Sequence, residues 1–406
     1  MNISQNVMAV ILAGGQGTRL YPLTIKRCKP AVVFGSRYRL IDIPISNSLN
    51  SGIRNIGVIS QYFASELNHH IANTFHLDQF QRGRFDFLCP EETREKKVWF
   101  EGTADAVRQN LEHLLASPAE YFLILSGDQL YKMDYRQIIQ FAIEKKADLV
   151  IASLSVPERE ARRMGLLKID EALRITDFFE KPSDPHVLEK FRFASGPRLD
   201  PHYLGSMGIY VFKRAALVSI LQEKGEDFGR QIIPLQVKKG KAYSFFFGDY
   251  WEDIGTIASF YEANLALTKR RNCLDVYNEQ MPIYSEPMHL PGPLIEKTRV
   301  EQSILGQGST IQASEISHSL VGIRTQIDQG SVLHHSIILG AVNSIARIGK
   351  HCLLEKTIID ENAVIGDNVR LTNHRQLSHF DGDGIYVRDG IIIVTTGTHL
   401  PDGFTF

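Results

Sequence analysis

Residues Val7–Pro30 read VMAVILAGGQGTRLYPLTIKRCKP, and this stretch decides the architecture of the first half of the chain. Val7–Leu12 is an unbroken apolar run, the pattern of a short parallel strand buried on both faces. It runs into Ala13-Gly14-Gly15-Gln16-Gly17, where small residues let bare backbone N–H groups approach a large anion. Thr18-Arg19 follows directly, and Lys29-Pro30 comes one loop later. A glycine turn ending a first strand, with an arginine and a lysine converging on it, reads as a polyphosphate site. Two familiar nucleotide loops are excluded. There is no G-K-[ST], and Leu20 stands where the dinucleotide fingerprint needs its third glycine. A tight turn without any ligand is the plainer reading of such a loop, so its context matters.

Composition narrows that context. The chain has 406 residues, 43% of them hydrophobic, enough for two ordinary cores. Its 45 basic and 46 acidic residues give a net charge of −1, so no bulk field favours nucleic acid or an anionic membrane. Cys28, Cys89, Cys273 and Cys352 are scattered without C-x-x-C pairing, which suits packing in a reducing compartment. The pairs His69-His70 and His334-His335 lack metal-site spacing. No apolar run approaches membrane-spanning length and the start carries no signal or transit pattern, so a soluble cytoplasmic protein is expected.

Strands and helices then alternate, which predicts an α/β fold with a Rossmann-like, mostly parallel sheet. Ile56–Ser60 and Tyr121–Leu125 read as buried strands, residues 73–97 as a polar irregular stretch, and 102 through Leu115 as one amphipathic helix. The strand at Tyr121 delivers Ser126-Gly127-Asp128 to the sheet edge where ligands gather. Asp128 reads either as a turn or cap residue or as a Mg²⁺ ligand. Asp253, in Tyr250-Trp251-Glu252-Asp253-Ile254-Gly255-Thr256, is a second carboxylate suited to the same ion. Glu180-Lys181-Pro182 offers a carboxylate for sugar hydroxyls and an ammonium for a sugar phosphate, with a surface ion pair as the plainer alternative. Ser206, opening the strand Ser206–Phe212, can reach the same pocket. Asp227-Phe228-Gly229 has a kinase look, but no H-R-D loop or V-A-I-K strand accompanies it.

The segments GGQGTRL, KPAV, SNSLNSGI, WFEGTADAV, GDQLYKMDY, FFEKP, SMGIYVF, DFGRQIIP and YWEDIGT occur here in the order that marks the ADP-glucose pyrophosphorylase family, and the chain resembles that family over nearly its whole length. The resemblance implies a glucose-1-phosphate adenylyltransferase, taking ATP and glucose 1-phosphate to ADP-glucose and pyrophosphate for glycogen or starch synthesis. It implies that Arg19, Lys29 and Asp128 are catalytic and that Leu12, Ala13, Gly14, Gly15, Gly17, Thr18, Phe100 and Gly102 bind ATP. It places glucose 1-phosphate on Gly165, Glu180, Lys181 and Ser206, and Mg²⁺ on Asp128 and Asp253. A relative using GTP or dTTP, and a non-catalytic regulatory subunit of the same family, remain alternatives.

After residue 270 the pattern changes. Tyr277–Pro293 is proline-rich and reads as a linker. Aliphatic–Gly pairs follow at Leu305-Gly306, Val321-Gly322, Leu339-Gly340, Ile348-Gly349 and Ile365-Gly366. Aliphatics also fall near every sixth residue, as in Ile311, Ile316, Val321 and Ile327, or Ile348, Leu354, Ile359 and Ile365. That pattern resembles the hexapeptide repeat of a left-handed parallel β-helix, with a loop expelled between Gly340 and Ile348. The expected division is a nucleotidyltransferase domain over 1–270, a linker over 271–295 and a β-helix domain over 296–406; the resemblance implies a homotetramer.

Two departures from the family pattern bear on specificity. Glu91-Glu92 stands where many relatives carry a glutamine pair, one of which faces adenine. Glu361 and Thr396 stand where the plant and cyanobacterial branch carries lysines for the activator 3-phosphoglycerate, leaving Lys26, Arg27 and Arg388 as possible effector cations.

Overall fold

The computed structural model of the chain describes residues 6–77, 83–91, 99–193, 202–271, 273–341 and 344–406. In chain order its first half forms β1 (Val7–Leu12), β2 (Val33–Phe34), β3 (Tyr38–Arg39), β4 (Asn55–Ile59), β5 (Arg84–Leu88), β6 (Tyr121–Ser126) and β7 (Gln129–Tyr131). These are followed by β8 (Leu149–Pro157), β9 (Gly165–Ile169), β10 (Ile175–Glu180), β11 (Arg192–Phe193), β12 (His202–Lys213), β13 (Ala242–Phe246) and β14 (Trp251–Asp253). The main sheet runs β10-β9-β12-β6-β1-β4-β5, with β8 and β13 joined beyond β12.

Val7–Ile11 are fully buried at its centre, as an apolar run with no polar alternation requires. β6, β1, β4 and β5 are parallel, so their C-terminal ends open on one edge. The sheet becomes mixed where β12 enters antiparallel to both β6 and β8.

Two local expectations are corrected. The stretch 73–97 is not wholly irregular: Arg84-Phe85-Asp86-Phe87-Leu88 alternates polar and apolar and adds β5 to the edge of the sheet. The segment from 102 to Leu115 is two helices, Thr103–Gln109 and Leu111–Leu115. The break falls at Asn110, whose side-chain amide donates to the Ala106 carbonyl at 2.9 Å while its backbone leaves the helical region.

From Leu294 onward, short strands stack as three parallel sheets. One sheet superposes Ile295, Ile311, Ile327, Ile348, Ile365 and Leu400. A second aligns Val300, Ile316, Leu333, Leu354 and Leu371, and a third aligns Leu305, Val321, Ile338, Ile359 and Val394. The sixfold aliphatic spacing is therefore the inward-facing core of a β-helix. A Cβ on Gly322 would lie 2.5 Å from the Leu339 carbonyl carbon, so the coils stack too closely there for any side chain. The last turn departs from the repeat: Ile385–Arg388 pairs antiparallel with both His379–Asp381 and Ile391–Val394, while Ile391–Val394 itself stays parallel to Thr357–Ile359.

The two halves share a core in which Leu20, Phe34 and Phe260 pack with Leu320, Ile337, Ile358 and Ile393. Within this contact Arg27 donates to both carboxylate oxygens of Asp360 at 2.7 Å and to Glu361, with Arg39 3.7 Å from Glu361. Arg27 is 3% exposed, so its charge depends on these partners. Arg27→Met leaves buried Asp360 without its cation and Glu361 with only the more distant Arg39, and is expected to cost about 3–5 kcal/mol. Scanning calorimetry should show a clear drop in unfolding temperature, largely restored when Asp360→Asn and Glu361→Gln are added; an unchanged midpoint in Arg27→Met refutes this.

Candidate active site

The glycine loop leaves β1 between Ala13, whose N–H donates to Ile59 O at 2.8 Å, and the 3₁₀ turn Thr18–Leu20. Gly17 has φ +65°, and a Cβ there would lie 2.9 Å from Lys29 Cβ, so this glycine lets the lysine approach. The N–H of Gly15 has no acceptor among the described residues, and its outer face is open. Leu12, Ala13, Gly15, Gly17, Thr18, Arg19, Lys29 and Asp128 enclose a cavity of about 180 Å³ here.

The two aspartates meet because β7 pairs antiparallel with β14, setting Gln129 opposite Asp253. Lys29 Nζ lies 2.6 Å from Asp128 Oδ2 and 3.7 Å from Asp253 Oδ1. Burial pushes the Asp128 carboxyl up, but Lys29, the Ser126 hydroxyl and Arg19 outweigh it, and Asp128 titrates below its ordinary value. Asp253 is held above its own, first by burial and then by the neighbouring Asp128 charge. Two crowded carboxylates with an ammonium between them are a built place for positive charge. The donors fit a hard divalent ion, which takes one or two protein carboxylates and fills its shell from substrate phosphates. Among the described residues no larger His, Cys, Asp and Glu cluster offers a metal site.

Two further cavities open from this point. One, of about 410 Å³, is lined by Leu12, Gly14, Gly15, Phe100, Gly102 and Asp128 among others. Gln61, which the motif reading did not single out, ties its walls together by donating to Gly14 O at 3.1 Å and accepting from Phe100 N at 3.0 Å. Glu91 is exposed and lies 3.9 Å from His113, away from these walls, while Glu92 is outside the described residues.

The other cavity, of about 470 Å³, joins Arg19, Asp128 and Asp253 to Gly165, Glu180, Lys181 and Ser206. Glu180 is largely buried, which raises its carboxyl above the ordinary range despite Lys181 at 3.3 Å. Gly165 and Gly229 make room for it: a Cβ on either would lie 2.6 Å from Glu180 Oε2. The Asp227-Phe228-Gly229 string therefore has a structural role: Asp227 caps a turn through Arg230 N at 2.9 Å, Phe228 is buried, and Gly229 accommodates the carboxylate. Trp251 and Glu252 border this cavity, and Trp251 Nε1 donates to Gln129 Oε1 at 3.3 Å.

The three residues considered for an effector do not gather. Arg27 is withdrawn from solvent by Asp360 and Glu361, which corrects the expectation that it could receive a soluble anion. Lys26 borders a separate open hollow with Phe63, Ser65, Glu66 and His69. Arg388 lies 5.7 Å from the ring centres of Tyr21 and Tyr386 and pairs with Asp381.

A parallel-sheet edge carrying a glycine loop, paired aspartates and converging cations defines a phosphate-handling transferase of the α/β class. In line with that, residues 8–270 match the Nucleotidyl transferase family, and the chain belongs to it. Residues 288–405 match the GLGC left-handed parallel beta-helix domain, so the β-helix is left-handed. This pairing of domains is typical of sugar-1-phosphate nucleotidyltransferases, and the family generally uses divalent metal ions. Among the described residues no helix is long and apolar enough to cross a membrane.

The fit of Glu180 against Gly229 can be tested directly. Gly229→Ala should displace the carboxylate and raise KM for the sugar phosphate by about tenfold or more while circular dichroism stays unchanged. A wild-type KM in this variant would show that Glu180 does not need its seat.

Proposed function

We propose that the protein is a glucose-1-phosphate adenylyltransferase that converts ATP and glucose 1-phosphate to ADP-glucose and pyrophosphate. The observation that carries this reading is the convergence of the glycine-loop, Phe100-side and Glu180-side cavities on Asp128. Such a junction suits a reaction in which two phosphorylated substrates must meet at one phosphorus.

An oxygen of the sugar phosphate attacks the α-phosphorus of ATP in line, forming a new P–O bond. The bond from that phosphorus to the oxygen bridging the β-phosphate breaks, and pyrophosphate leaves with the electron pair. A phosphate monoester with second pKa about 6 is already mostly dianionic at neutral pH, so the nucleophile needs no general base. What the site must supply is alignment and positive charge between two anions. The Gly14–Gly17 backbone, Arg19 and Lys29 serve the nucleotide phosphates, while Lys181, Glu180 and Ser206 orient the sugar phosphate. Asp128 and Asp253 would hold Mg²⁺, whose charge would neutralise phosphate oxygens.

Assembly belongs to the same proposal. Leu294, Ile295 and Val300 leave the first coil of the β-helix exposed, an apolar end suited to burial in a homotetramer. Cytoplasmic action on soluble substrates completes this reading.

The test is pyrophosphate release with glucose 1-phosphate and each of ATP, GTP and dTTP. ATP should give the highest kcat/KM, and Asp128→Asn should lower kcat by about two orders of magnitude or more with the fold intact. A strong GTP preference would instead favour a relative using another nucleotide, and near-wild-type Asp128→Asn would remove that residue from the site. No turnover with any nucleotide would favour the non-catalytic subunit.

Glu361 generates a separate expectation. A carboxylate locked against Arg27 and Arg39 leaves no cation at that position for a phosphorylated acid. Titrating 3-phosphoglycerate at subsaturating ATP should give little or no activation; several-fold activation would refute it.

A further inference from the structure

Arg163 is a guanidinium that the chemistry above does not use. It follows the one-turn helix Glu158–Ala161, and with Arg159 it borders the Glu180-side cavity, as residues four apart on a helical turn can. Its neighbour Arg162 instead pairs with Glu158 at 2.7 Å and donates to Ser183 O at 3.3 Å. Arg163 is exposed, and among the described residues no ion pair or side-chain hydrogen bond engages it. Asp253 and Glu252 lie near enough to feel its charge without closing on it.

The facing geometry indicates what completes it. A Cβ built on Gly255 would lie 2.9 Å from Arg163 Nη2, 3.3 Å from Arg19 Nη1 and 3.2 Å from Asp253 Oδ2. The two guanidinium nitrogens are thus at most about 6 Å apart, a gap that one tetrahedral phosphate can bridge with a charge-assisted bond to each. Unbridged, the two cations repel, and Asp253 is the carboxylate beside both. Arg19 borders both the glycine-loop and Glu180-side cavities, whereas Arg163 borders the second and not the first. The phosphate it can reach is therefore on the sugar side.

We propose that Arg163 binds the phosphate of the sugar 1-phosphate opposite Arg19, setting the attacking oxygen beside the Asp128–Asp253 pair. This rests on the function proposed above and adds a residue to its sugar-phosphate site. Lys181 reaches the same cavity but is half exposed and tied to Glu180, so it leaves room for a second cation on the phosphate.

The test uses the full-length chain with Arg163→Ala and Arg163→Lys. In Arg163→Ala, KM for glucose 1-phosphate should rise about tenfold or more, KM for ATP should stay within about twofold, and Arg163→Lys should recover part of the loss. Unfolding temperatures of both variants should match wild type. Calorimetric titration of glucose 1-phosphate without nucleotide should show the same weakening in Arg163→Ala. That binding arm decides the role of Arg163 even if the wild type turns over no nucleotide, a result that would count against the proposed activity alone. Equal glucose 1-phosphate affinity in wild type and Arg163→Ala, no binding to the wild type, or an increase confined to KM for ATP overturns the proposal.

Discussion

The contact on which the site depends is the Lys29 ammonium set between Asp128 and Asp253. Two largely buried carboxylates repel and cannot both stay ionised unless a cation compensates them. The fold supplies that cation from a distant part of the chain and fixes it sterically: Pro30 follows Lys29 directly, and Gly17 leaves the space that its Cβ occupies. The opposite titration shifts of the two aspartates follow from this asymmetry. Burial raises both, but Asp128 has the short Lys29 contact and the Ser126 hydroxyl to outweigh it, while Asp253 has the longer contact and the added repulsion of Asp128. The glycine loop, the lysine and both aspartates are thus one electrostatic unit.

That unit is mechanically coupled to the β-helix. Arg27 precedes Lys29 by two residues in the same loop and is anchored on Asp360 and Glu361 of the second half. Tyr21, earlier in the loop, meets Tyr386 edge-on at 5.5 Å, with Arg388 over both rings. The segment that carries Lys29 is thus held to the β-helix at two points, through Arg27 and Tyr21.

Those features written in local sequence were legible before the fold was known. The buried run Val7–Leu12, its glycines, and the sixfold spacing at Ile311, Ile316, Val321 and Ile327 each express one backbone geometry, and the structure has it. The position of Asp128 at the sheet edge was legible because it follows a buried strand of the parallel sheet. What stayed hidden depends on contacts between remote segments. That Asp253 meets Asp128 is a consequence of the β7–β14 register, and no spacing encodes it. Gln61 and Gly229 act by supporting other residues, so neither carries a signature of its own. The terminal insertion around Ile385–Arg388 was missed because nothing in the local sequence marks where its strand direction reverses.

The near-zero net charge and the cation-rich site are two sides of one requirement. A strongly basic surface would raise encounter rates with phosphates of every kind and discriminate poorly among them. Here Lys29 and Lys181 border the cavities that meet at Asp128, and each sits against a negative partner, Lys29 against Asp128 and Lys181 against Glu180. Such pairing keeps the cations in place without leaving a bulk field. Arg19 and Arg163 are the exceptions, since both border the Glu180-side cavity without an ion pair among the described residues. On the proposed function, unpaired charge is tolerable there because a bound phosphate would compensate it.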